Sequence, residues 1–160
     1  MKTVGSHPGA GIFRFTVVVI LVLILMFSFL YYTAAINQRT EEVARDQMIA
    51  SMKQALSMML YDYAIKGQLK DLQIFDRENP FVPLAIYREL PANYHGTISN
   101  QRDILEYGWY FDLVNKLAVY RFSDDELPVQ KYKMVFDFED LDGNGIYGTG
   151  DVGYLDIEEA

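Results

Sequence analysis

The chain contains no cysteine among its 160 residues. Disulfide staples, thiolate metal sites and a cysteine nucleophile are therefore excluded. Histidine is scarce: His7 lies near the N-terminus and His95 stands alone in a turn-like segment. A lone loop histidine reads as a surface or hydrogen-bonding residue before it reads as a base. The serines have no histidine and carboxylate partners at a recognisable spacing, and no glycine-rich phosphate loop sits between a strand and a helix. Cationic excess is also missing. Fourteen Lys and Arg face 22 Asp and Glu, a formal charge of −8. That argues against a nucleic-acid partner, because affinity there comes mainly from cationic contacts to phosphate. Internal repeats and low-complexity runs are absent too.

Two absences are local. No acidic residue precedes Glu41, and from Phe15 to Tyr32 there is no charge, glycine or proline. Eighteen helical residues span about 27 Å, close to the hydrocarbon thickness of a bilayer. A buried core helix is the alternative, but a small domain's core helix normally carries a polar face. Tyr31 and Tyr32 fit an aromatic belt at one membrane surface. Thr33-Ala34-Ala35 offers small residues to a signal peptidase. The apolar run, however, exceeds the about 7–15 residues of a signal-peptide core, which favours an uncleaved anchor. Lys2 and Arg14 lie on the N-terminal side, with Arg39, Glu41 and Glu42 on the other. Positive-inside reasoning places the N-terminus in the cytoplasm and the rest outside. In a bacterium this means a single-pass inner-membrane protein with a periplasmic domain. The mean hydropathy of +0.00 is thus an average over a lipid-compatible helix and an acidic domain.

Residues 1–14 form a short polar lead, 15–35 the transmembrane helix and 36–160 the outer domain. Within the latter, residues 36–66 continue as an amphipathic helix. Met48, Ile49, Met52, Ala55, Leu56, Met59, Leu60 and Tyr63 recur at helical spacing. This stripe is a core face or a methionine-rich partner surface. With no breaker from Phe15 to Lys66, the whole stretch reads as one helix of about 50 residues, with Gly67 as its C-cap. Residues 67–106 read as irregular, with turn segments at Asn79-Pro80 and Leu90 to Gly96 and a short helix around Phe81–Arg88. Residues 107–160 read as an antiparallel meander of about four strands: Trp109–Leu113, Leu117–Phe122, Tyr132–Phe138 and Val152–Ile157. The expected class is α+β, with the amphipathic helix covering the apolar face of the sheet.

An apolar N-terminal helix running into an amphipathic one and covering such a sheet resembles type IV pilins and pseudopilins. The segments Asn79-Pro80-Phe81, Leu90-Pro91-Ala92-Asn93-Tyr94-His95-Gly96, Gly108-Trp109-Tyr110-Phe111-Asp112 and Leu117-Ala118-Val119-Tyr120-Arg121 are, in that order, similar to the F protein family of mannose-sensitive haemagglutinin (MSHA) pilus biogenesis. The resemblance covers most of the chain. It implies a pilin-like fold and a non-enzymatic, membrane-anchored minor subunit for pilus assembly. The implied partners are other pilin-like subunits and the assembly platform, with no small-molecule substrate. The pattern departs from a standard prepilin, whose leader ends in Gly and is followed by Phe and by Glu at the fifth mature position. Here Gly11 precedes Ile12-Phe13-Arg14-Phe15-Thr16, so Thr16 takes the place of Glu. An uncleaved accessory subunit fits this better than a major filament subunit. A membrane-anchored periplasmic ligand- or calcium-binding module unrelated to pili is the alternative. An anchored enzyme would need clustered titratable groups that the sequence does not offer.

One cluster carries chemical content, Asp140 to Asp151. Aligned to a calcium loop, Asp140, Asp142 and Asn144 take positions 1, 3 and 5, and Gly145 takes the sharp turn at 6. Ile146 offers its carbonyl at 7 and Asp151 stands at 12. Ca²⁺ takes six to eight hard oxygens, and this spacing turns alternate side chains inward. The second half fits less well, with Asp151 in place of Glu and Gly148 at position 9. A Gly/Asn/Asp hairpin loop would use the same residues for turn chemistry alone. Asp124/Asp125 and Glu158/Glu159 read as solvated charge. Trp109, Tyr110 and Phe111 read as a half-buried hairpin or a ligand face.

Overall fold

A computed structural model describes residues 8–148 and 150–160. The chain divides into two compact units, Met1–Glu42 and Val43–Ala160. Helix α1 runs from Pro8 to Ile65 without a break. It starts earlier than expected, so residues 8–14 are helical rather than a separate lead; residues 1–7, with Lys2 and His7, lie outside the described residues. Proline suits a first helical turn, where its missing N–H has no intrahelical acceptor to serve. In the first unit every described side chain from Gly11 to Tyr32 is exposed, large apolar ones included. The helix is long and apolar enough to cross a membrane. The Thr16 and Thr33 hydroxyls donate to the carbonyls of Ile12 and Phe29 at 3.0 and 2.8 Å, so neither is left unpaired in an apolar medium.

In the second unit the remaining stretch of α1 covers a sheet. The chain leaves α1 through Gly67, whose positive φ of 69° suits a helix end. A 3-10 helix follows at Leu69–Phe75, then α2 at Phe81–Tyr87. The Asn79 side chain accepts the Phe81 N–H at 3.0 Å and so caps α2. The strands are β1 (Tyr94–Ile98), β2 (Gly108–Asp112), β3 (Leu117–Arg121), β4 (Gln130–Glu139) and β5 (Val152–Glu159). They lie in sequence order across one sheet.

The expected sheet needs correction. It has five strands, not four, and it is mixed: β1 pairs parallel to β2, while the remaining pairs are antiparallel. The extra strand lies in the segment read as irregular. Its sequence, Tyr94-His95-Gly96-Thr97-Ile98, carries a glycine at φ 92° and a register shift between Tyr94 and Thr97. An edge strand interrupted in this way is held by pairing with its neighbour rather than by a regular pattern. Residues 99–107 return the chain to the end where β1 began, which makes the pair parallel. On the way Ile104 packs with Ile98, Tyr110 and Val119 on the face of the sheet away from α1. Strand β2 is therefore buried on both faces.

The main core joins α1 to the other face. Met52, Ala55, Leu56 and Met59 meet Trp109, Phe111, Tyr120, Met134, Leu155 and Ile157, with Phe81 and Leu84 of α2. Met48, Ile49, Leu60 and Tyr63 flank them, half-buried. The methionine stripe is thus core, not a free partner surface. Strand β3 pairs with β4 only as far as Tyr132. Beyond it, the segment before α2 takes over: Arg77 N–H donates to the Met134 carbonyl at 2.8 Å, and the Asp76 carboxylate accepts the Phe136 N–H at 3.0 Å. Gly153 is where the sheet and the acidic loop crowd together. A Cβ there would stand 2.8 Å from the Phe136 ring and 2.9 Å from the Tyr147 hydroxyl.

Candidate metal centre

The acidic loop joins β4 to β5, and Thr149 within it lies outside the described residues. Each turn is made by a carboxylate or amide closing on the backbone ahead of it. Asp140 Oδ1 accepts the Gly143 N–H and Oδ2 the Gly145 N–H, both at 2.7 Å. Asp142 Oδ1 accepts the Asn144 N–H at 3.1 Å, and the Asn144 amide donates to Asp142 Oδ2 at 2.7 Å. Asn144 Oδ1 accepts the Ile146 N–H at 2.6 Å. Gly143 and Gly145 hold φ near +73°, the left-handed conformation that side chains resist. Asp151 is buried and ties the two ends together: Oδ1 accepts the Leu141 N–H at 2.9 Å and Oδ2 the Gly148 N–H at 2.7 Å.

These bonds gather the charges. Ligand oxygens of Asp140, Asp142 and Asp151 all lie within 4.8 Å of one another. Backbone N–H donation, first from Gly145 and then from Gly143, lowers the Asp140 pKa below the ordinary aspartate value. A carboxylate oxygen that accepts one N–H keeps a lone pair for a second partner. The donor set suits a hard cation: three carboxylates, with the Asn144 side-chain oxygen and the Ile146 carbonyl as the further oxygens. The five residues read from the sequence therefore share one loop. Its flanks are strands, not the helices of an EF-hand.

No family model, curated protein or solved structure matches this chain. Function must be read from the molecule.

The other residues singled out from sequence have structural roles. His95 stacks on Tyr110, with ring centroids 5.0 Å apart, and its Nε2 lies 3.0 Å from the Tyr107 carbonyl. Trp109 and Phe111 are interior, as is Tyr110 on the opposite face. Asp125 accepts from Arg121 at 2.7 Å, and Glu158 pairs with Lys133 at 3.3 Å. Sequence reasoning missed Asp112, which is buried and closes the β2–β3 turn by accepting the Val114 and Asn115 N–H groups at 3.0 Å each. Its signal was present: an Asp three residues before an Asn, at the end of an aromatic strand.

Proposed function

We propose that the chain is a non-enzymatic, single-pass accessory subunit of pilin-like type that serves assembly of an MSHA-type pilus. In this reading its N-terminus is cytoplasmic, its anchor lies in the bacterial inner membrane and the Val43–Ala160 unit works in the periplasm. The supporting observation is α1. One uninterrupted helix carries a fully exposed apolar stretch and then, within the second unit, the face that forms the core of a sheet. Its partners are the membrane, other pilin-like subunits that pack on the anchor, and the assembly platform. The mixed sheet does not weigh against this, since the reading rests on a long helix covering a sheet face. Deletion of the gene is expected to abolish surface pili, and the tagged chain to co-purify with pilin-like subunits. Normal piliation in the deletion strain would overturn the proposal. A phosphatase reporter, active only outside the cytoplasm, should be active at the C-terminus and inactive at the N-terminus.

A second reading has its own support. The convergence of Asp140, Asp142 and Asp151 favours a calcium-binding periplasmic module. Thermal melting of the full chain in Ca²⁺ against chelator tests it. An unchanged midpoint sinks the site.

A further inference from the structure

The rim where β3 ends and β4 begins holds an unassigned surface. Arg121, the last residue of β3, donates through Nη1 to the Ile104 carbonyl at 2.6 Å and through Nη2 to Asp125 at 2.7 Å. Both partners belong to loops, so one guanidinium ties the segment before β2 to the segment before β4. Two adjoining depressions open on either side of this tie, of about 250 and 310 Å³. The first is floored by Ile104, Leu127 and Val129, the second by Leu105, Tyr107 and Phe122. Leu105 is 80% exposed and Tyr107 57%, although each precedes a strand that buries its aromatics completely.

Apart from Arg121, and His95 at 3.7 Å from Glu106, the charged residues described at these depressions are acidic. Glu106, Asp124, Asp125 and Glu126 are all exposed, and the cation lining the depressions, Arg121, is already engaged. The Asp125 side chain is 79% exposed and that of Glu106 73%. An anionic membrane surface or a second copy of this acidic chain would meet like charge. A cationic partner is drawn in, and its apolar side chains find two preformed depressions, the pairing of buried anchor and charged rim that protein interfaces use.

We propose that this rim docks a basic protein segment, with Leu105, Tyr107 and Val129 receiving its apolar side chains and Glu106, Asp124 and Glu126 facing its Lys and Arg residues. Because the surface is defined by its own charge and exposure, it stands whether or not the chain serves a pilus.

The test uses the full chain in neutral detergent and three labelled peptides of equal length. One alternates Lys or Arg with Leu or Phe, one replaces the basic residues by Glu, and one replaces the apolar residues by Ser. Only the first should bind tightly, and salt at high concentration should weaken it by about tenfold or more. The variant Leu105→Ser/Asp124→Asn/Glu126→Gln alters exposed side chains only and should weaken binding by about tenfold. A control, Glu89→Gln at an exposed position away from the rim, should leave binding unchanged. Absence of binding, equal binding of the acidic peptide, or loss of binding in the control alone would overturn the assignment. Retention of the near-ultraviolet circular dichroism spectrum by the rim variant separates lost docking from lost folding.

Discussion

Asp151 and Asp142 look alike in the sequence and do different work. Asp151 is buried, and its two oxygens hold Leu141 and Gly148. In Asp151→Asn the amide nitrogen cannot accept, so one of these N–H groups loses its partner at a cost of about 1–3 kcal/mol. Asp142 is exposed, and Asp142→Asn should change stability by less than about 0.5 kcal/mol without calcium. Melting in chelator checks both. If the loop takes Ca²⁺, Asp142→Asn should still lose the calcium-induced rise in midpoint. Tyr87 gives a second residue-level test. Its hydroxyl donates to Asp62 at 2.6 Å, and this hydrogen bond, with burial and the Asp62 charge, pushes its pKa to about 12. A raised folded pKa means that the contribution is complete below the unfolded tyrosine value of about 10 and is lost as pH rises toward 12. Tyr132, through burial, and Tyr154, through its hydrogen bond to Asp137, are raised as well, so ultraviolet titration should show several late tyrosines and Tyr87→Phe should remove one of them. Asp140 has the opposite sign. Its lowered pKa means that the contribution is complete above the unfolded aspartate value and is lost as pH falls from there toward the lowered value.

Helix α1 is one element with two environments. In the Val43–Ala160 unit, Leu56 is buried between α1 and the sheet. Leu56→Ala should cost about 2–5 kcal/mol, the transfer term plus the cavity left behind. Denaturant unfolding of the full chain, followed by tryptophan emission, reports it directly, since Trp109 belongs to the same core. In the first unit Leu23 is exposed within the apolar stretch. An arginine there costs about 2.5–3.5 kcal/mol at a membrane-helix centre. Leu23→Arg should lower the fraction of the chain recovered in the membrane pellet, whereas Leu23→Ala should not. Helix α1 was legible from its apolar period, and α2 and strands β2 to β5 from short apolar or aromatic runs bounded by turn signals. Strand β1 was not legible. Its glycine at φ 92° breaks the alternation, and only Ile98 in it is buried. Its pairing comes from the neighbouring β2 backbone, which no local pattern reports.

At the scale of the whole molecule, the −8 charge has resolved into separate places. Of the acidic residues behind it, some are gathered in the β4–β5 loop, some surround the Arg121 rim, and some are neutralised by pairing across the fold, as in Asp156 with Lys53 at 2.9 Å and Glu78 with Lys116 at 3.2 Å. Exposed pairs of this kind contribute little stability. The unpaired acidic surface bears instead on which partners the protein admits.

The sequence by itself determined that one helix is long and apolar enough to cross a membrane, because a bilayer imposes a length and a composition that can be counted. It determined the amphipathic face of α1 for the same reason, since burial against a sheet imposes a helical period. It also put Asp140, Asp142, Asn144, Ile146 and Asp151 in one loop, because ligand spacing along a turn is local. Only the tertiary structure decided that Asp151 is buried while Asp142 is not, that a fifth strand enters parallel, and that Leu105, Arg121 and Asp125 line one depression. Each of these depends on residues brought together from distant parts of the chain, and no local periodicity encodes such a meeting.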